Sequence, residues 1–114
     1  MIVMIKQLYR KLFPQRYYNS PGYRREAAAA YDGKPLKYVT ERKETGDVVL
    51  AKNAYICVSA GYVFVNSETE SIFKCRDDAV QSGELLSHEG VIFTGFDEIR
   101  GKERSIICYF VYHR

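Results

Sequence analysis

The chain has 114 residues, 46% apolar and 27% charged, which fits one domain able to build a core without disulfides or metals and excludes global disorder. Its net charge of +3 is uneven: residues 1–25 hold six basic side chains and no acid, and the remaining 89 hold 11 basic against 14 acidic, a balance of −3. Three Cys in separate strand-like runs exclude a disulfide framework, and no apolar run approaches the ~18 residues that span a bilayer.

Met1 to Ile5 is apolar but is followed at once by Lys6, the reverse of a secretory signal's order. A cytoplasmic protein with reduced, buried Cys is expected. Residues 2–13 place Ile2, Ile5, Leu8, Tyr9, Leu12 and Phe13 on one helical face, and Pro14 ends the pattern. Such a basic amphipathic helix can pack on a sheet or lie on an anionic membrane surface, and packing is the favoured reading. Ser20-Pro21 is a good helix start, four consecutive Ala continue it, and Asp32-Gly33 stops it.

From Gly33 the pattern changes to strands. Leu36 to Arg42 alternates apolar with polar and reads as a charged edge strand. Glu44 to Asp47 is a turn, Val48 to Ala51 a short strand, and Lys52-Asn53 another turn. Ala54 to Asn66 holds two runs rich in Tyr, Val, Ile and Phe around Ser59-Ala60-Gly61, a hairpin in which Gly61 supplies a positive φ. This hairpin is expected to sit at the centre of the sheet. Ser71 to Cys75 is a further strand. In Arg76 to Ser87, Asp77 starts one helical turn to Val80, Gly83 interrupts it, and Leu85-Leu86 plug the core. His88-Glu89-Gly90 is a turn and Val91 to Gly95 a strand. Phe96 to Arg104 is a hairpin-like connection. Ser105 to Tyr112 is a last strand, apolar on both faces and so expected to be covered on both.

Helices first and strands after them point to one α+β domain over residues 1–114, with a helical segment at 1–33 and a β-rich body at 34–114. Two N-terminal helices and a curved, mostly antiparallel sheet of about seven short strands are expected, the sheet curling into a small, partly open barrel. This run of strands and hairpins looks like the sheet of pleckstrin-homology-like and GRAM-like domains. Those domains end in a helix that plugs the barrel, whereas this chain ends in the strand Ser105–Tyr112, so a plugging helix would have to come from the N-terminus. The segment IFKCRDDAVQSGELLSHEGVIFTG with the closing RSIICYFVY resembles small uncharacterised proteins of anaerobic Gram-positive bacteria, a likeness that spans the C-terminal two-thirds and implies no activity.

Motifs for chemistry are sparse. There is no Gly-rich phosphate loop, Cys-x-x-Cys pair, His-Glu-x-x-His or Gly-x-Ser-x-Gly. Cys57, Cys75 and Cys108 could meet His113 on zinc, but single Cys within strands read better as core. His88, near Glu84, Glu89, Asp97 and Glu98, could serve as a general base, yet Ser87 to Gly90 is good turn composition. Asp77-Asp78 with Glu84 lack the alternating acids of a calcium loop and read as a solvated loop. No metal, cofactor or enzymatic activity is expected.

The expected function is a non-catalytic binding or protein-interaction module with an unknown protein partner or with itself, supported by ten Tyr, six Phe and the doubly apolar last strand. The alternative is nucleic-acid binding through the basic, Tyr-rich segment 6–25. There Arg10, Lys11, Arg16, Arg24 and Arg25 supply cations for phosphates, and Tyr17 and Tyr18 supply faces for bases.

Overall fold

The computed structural model describes residues 20–111. It contains one helix, α1 (Pro21–Ala29), followed by seven strands: β1 (Pro35–Lys43), β2 (Gly46–Ser59), β3 (Tyr62–Asn66), β4 (Ser71–Arg76), β5 (Gln81–Glu84), β6 (Gly90–Asp97) and β7 (Lys102–Phe110). The expectation of two N-terminal helices is therefore corrected to one among the described residues. The first expected helix, at 2–13, lies outside them. The α+β class and the antiparallel sheet stand.

Helix α1 forms where its caps require it. Ser20 Oγ accepts from the Tyr23 N–H at 3.2 Å, and Pro21 occupies the first turn, where no N–H is needed. The Ala-rich face lets the helix approach closely, and Ala28 is wholly buried in the core. The turn after α1 is tied to β2: Gly33 donates to the Ile56 carbonyl at 2.8 Å, Ile56 donates to Lys34 at 3.0 Å, and Asp32 accepts from the Val58 N–H at 2.8 Å. Tyr31 then sits edge-on to Phe93 and stacked on Phe110.

The strands form one curved sheet in the order β4-β3-β2-β1-β7-β6-β5, antiparallel throughout. The segment read as a polar edge strand is thus the central strand, with β2 on one side and β7 on the other. Its polar residues misled the reading because Glu41 is buried by an internal ion pair, while Lys37, Arg42 and Lys43 are exposed. The Ala54–Asn66 hairpin is not central. It forms as expected, with Ser59 paired to Tyr62 and both loop residues, Ala60 and Gly61, at positive φ, as the primed hairpin turns require.

Three further expectations change. Lys52-Asn53 is not a turn: β2 runs unbroken through it, with Asn53 at φ 56°, a backbone region Asn tolerates. A bulge at Leu50, between the pairs Val39–Ala51 and Thr40–Val49, adds local twist. Asp77 to Val80 is a turn rather than a helical segment, held by Ala79 and Val80 donating to the Arg76 carbonyl. The plug is Val80, wholly buried, and not Leu85-Leu86. Leu86 is fully exposed because the Leu85 N–H to Gly90 and His88 N–H to Leu85 bonds close a tight loop that points it outward. Finally, β7 begins at Lys102, three residues earlier than expected, because β6 carries its ladder down to Asp97–Lys102.

The core lies on the concave face. Val39 and Leu36 of β1, Ile56 of β2, Val63 and Val65 of β3, Phe73 and Cys75 of β4, Val91 and Phe93 of β6, and Ile106 and Cys108 of β7 are all buried there. Ile107, on the opposite face of β7, is also buried, at 1% exposure.

Candidate functional site

The register places two features on opposite faces of this sheet. The first is internal. Arg104, on the concave face of β7, is 6% exposed. Its Nε and Nη2 form a fork with the two oxygens of Glu41 at 3.0 and 2.9 Å. Its Nη1 donates to Asp97 Oδ2 at 2.6 Å and to the Ile72 carbonyl at 3.0 Å. The other oxygen of Asp97 accepts the Lys74 N–H at 3.1 Å and the Ile99 N–H at 3.0 Å. One guanidinium thereby joins β1, β4, β6 and β7. The fork geometry suits Arg and not Lys. These hydrogen bonds hold the Glu41 carboxyl below the usual Glu range and raise Arg104 above its own. Every oxygen of the two carboxylates has a partner, so the cluster is internally satisfied and acts as a latch between the strands.

The second feature is on the convex face of β2, β3 and β4. Cys57 pairs with Phe64, and Phe64 with Lys74. Tyr62 pairs with Arg76 on the same face, and Tyr55 lies beside Asn66. Tyr55 is 45% exposed, and Cys57, Tyr62, Phe64 and Lys74 are half-buried. The Tyr62 and Phe64 rings lie 6.1 Å apart. The Lys74 ammonium sits 4.4 Å from the Tyr62 centroid and 5.7 Å from that of Phe64, with Glu98 3.8 Å away. A second aromatic pair, Tyr38 and Tyr109, lies 4.5 Å apart where β1 meets β7. Alternation puts these rings outside, because the residues between them, Ile56, Val63, Val65 and Phe73, fill the core.

Of the residues singled out for nucleic-acid binding, Arg10, Lys11, Arg16, Tyr17 and Tyr18 lie outside the described residues. Arg24 and Arg25 are described, and both face the turn after β4. Arg24 donates to the Ala79 carbonyl at 3.1 Å. Arg25 reaches Asp77 at 3.5 Å and Asp78 at 3.9 Å, and Arg76 also pairs with Asp78 at 3.1 Å. Asp77 and Asp78 therefore meet cations of this chain. His88 sits on the exposed β5–β6 loop at φ 61°, with Nδ1 3.3 Å from Glu84. The three Cys are free thiols. Burial pushes the Cys75 thiol up to about 11 and raises Cys108 further. Among the described residues, no group of three or more His, Cys, Asp or Glu side chains could hold a metal ion. A shallow groove of about 200 Å³ is lined by Glu41, Arg42, Thr94, Glu103, Arg104 and Ser105. Its charges balance, and Glu41 and Arg104 are committed to each other.

Sequence reasoning counted the Tyr and Phe toward a binding surface but did not place them on one face of the sheet. The available signal was the alternation within β2 and β3, which sends Tyr55, Tyr62 and Phe64 to one face and the aliphatic residues to the other. Among the described residues, no helix is long and apolar enough to cross a membrane. No protein family, curated protein or solved structure matches this chain.

Proposed function

We propose that the protein is a non-catalytic interaction module whose contact surface is the convex face of β2, β3 and β4, and that a second copy of the chain is among the partners it takes. The observation that carries this reading is the half-buried pair Tyr62 and Phe64 around Lys74, with the exposed Tyr55 on the same face. Rigid aromatic side chains supply contact area at low entropic cost and dominate the energetics of protein interfaces. Lys74 and Glu98 give the face both signs of charge, which suits an isologous contact between identical surfaces.

Phosphate-rich partners fit this body less well. Residues 20–111 carry twelve Lys and Arg against fourteen Asp and Glu, and nucleic-acid affinity rests on an excess of cations. The test is light scattering after size exclusion, at low and high salt, with and without a mixed RNA oligonucleotide. A dimer that ignores RNA and falls apart in Phe64→Glu supports the proposal. A wild-type monomer ends the self-association reading, and a salt-sensitive complex with RNA replaces it with nucleic-acid binding through residues 6–25.

A further inference from the structure

We propose that the half-barrel opens locally along one seam, between β4 and the β6–β7 turn, and that the Arg104–Asp97–Glu41 latch sets how often it opens and bares Cys75. The sheet order makes β4 an edge strand, with β6 on the far side of four other strands. Curvature brings the two together, but no ladder joins them. In place of a ladder there are three hydrogen bonds, beside the solvent-facing Lys74–Glu98 ion pair: Glu98 donates to the Lys74 carbonyl at 2.8 Å, Lys74 donates to Asp97 at 3.1 Å, and Arg104 donates to the Ile72 carbonyl at 3.0 Å. Two of the three depend on latch side chains. Each covers part of the β4 edge that would otherwise be open to another strand.

The seam is a cheaper place for water to enter than the β1–β7 ladder. Separating β1 from β7 would wet Leu36, Val39 and Cys108, all buried apolar side chains. Separating β4 from β6 wets the latch, and hydration then returns part of the desolvation cost of three buried charges. Local openings of native proteins run through such low-cost contacts. Packing at the seam is close: a Cβ added to Gly95 would lie 2.7 Å from the Cys75 sulfur. Cys75 therefore reports whether β4 has moved away from β6. Cys108, wholly buried on β7 within the continuous ladder, reports global unfolding. Cys57, half-buried on the convex face, reacts without any opening.

Alkylation of the folded full chain by iodoacetamide, read peptide by peptide in a mass spectrometer, separates the three. Rates are normalised to those of the unfolded chain. Cys75 is expected to react at least about tenfold faster than Cys108, as a sub-global opening requires. Asp97→Asn should widen that ratio about tenfold further, because it removes the charge that accepts the Lys74 N–H of β4 and that sets Arg104 against the Ile72 carbonyl. Equal rates for Cys75 and Cys108, rising together with denaturant, would overturn the proposal, as would an Asp97→Asn effect of the same size on both. Should Asp97→Asn not fold, Glu41→Gln takes its place, and hydrogen exchange in the unmodified protein decides independently. Lys74 and Glu98 amides less protected than those of the β1–β7 ladder support the seam, and equal protection refutes it.

Discussion

The sheet is closed at two junctions that share a guanidinium and little else. Between β1 and β7 the backbones pair directly, Leu36 with Phe110 through Glu41 with Ile106, and apolar side chains fill the concave side. Between β4 and β6 there is no ladder, and the polar contact inside the seam rests on Asp97, Arg104 and the Glu98 N–H. The first junction draws its stability from backbone pairing and apolar burial, which depend weakly on the identity of any one polar group. The second depends on three charges being present together, because a buried ion whose partner is removed keeps its desolvation cost.

Arg104→Ala should separate the two junctions most strongly. It strands Glu41 and Asp97 in the interior, and a loss of about 3–5 kcal/mol in denaturant unfolding is expected. A loss under about 1 kcal/mol would mean that water already reaches the carboxylates.

The glycines of β6 sharpen the comparison, since one lies against each kind of junction. A Cβ on Gly90 would fall 2.3 Å from the Cys108 carbonyl oxygen. That is laddered backbone which cannot step aside, so Gly90→Ala should cost about 3 kcal/mol, at the top of the usual overpacking range. A Cβ on Gly95 meets only the Cys75 sulfur at 2.7 Å, its next neighbours being at 3.5 and 3.8 Å. Gly95→Ala should cost about 1–2 kcal/mol, and Cys75→Ala in the same chain should recover part of it. Equal costs for the two glycines would mean that the seam is as rigid as the ladder.

Acid should act on the latch side. Arg104 holds the Glu41 carboxyl below its ordinary value of 4.5. The resulting stability is complete above that value and is lost as the pH falls through it toward the lower folded-state value. Thermal unfolding followed against pH should show this loss in the wild type, and Glu41→Gln should flatten it. The smallest effect on stability is expected on the convex face. Tyr55→Ser, at a site 45% exposed, should change unfolding by within about 0.5 kcal/mol while weakening any dimer seen by light scattering.

Local features of the fold were legible in the sequence because neighbouring residues dictate them. Ser20-Pro21 starts a helix by supplying an acceptor and removing a donor. Gly61 turns a hairpin because it takes a positive φ without a steric cost. Features that depend on distant residues were misread. Glu41 looked like the mark of an exposed edge, since its partner, Arg104, lies 63 residues away. Leu85-Leu86 looked like core, yet the loop geometry turns Leu86 out and leaves Val80 as the plug. The aromatic face was visible as alternation along β2 and β3, but only the pairing register shows Tyr62, Phe64 and Lys74 to be neighbours.

By itself, then, the sequence determined the α+β class, the helix start at Ser20, the Ala54–Asn66 hairpin and the strand-rich body, all of which follow from periodicity, caps and turn residues acting within a few positions. Tertiary structure alone decided that β1 is central, that Arg104, Asp97 and Glu41 form a buried latch, and that β4 meets β6 without pairing to it. Strand order and ion pairing are set by which distant surfaces bury one another, and the free energy of that burial is not encoded in any local stretch of chain.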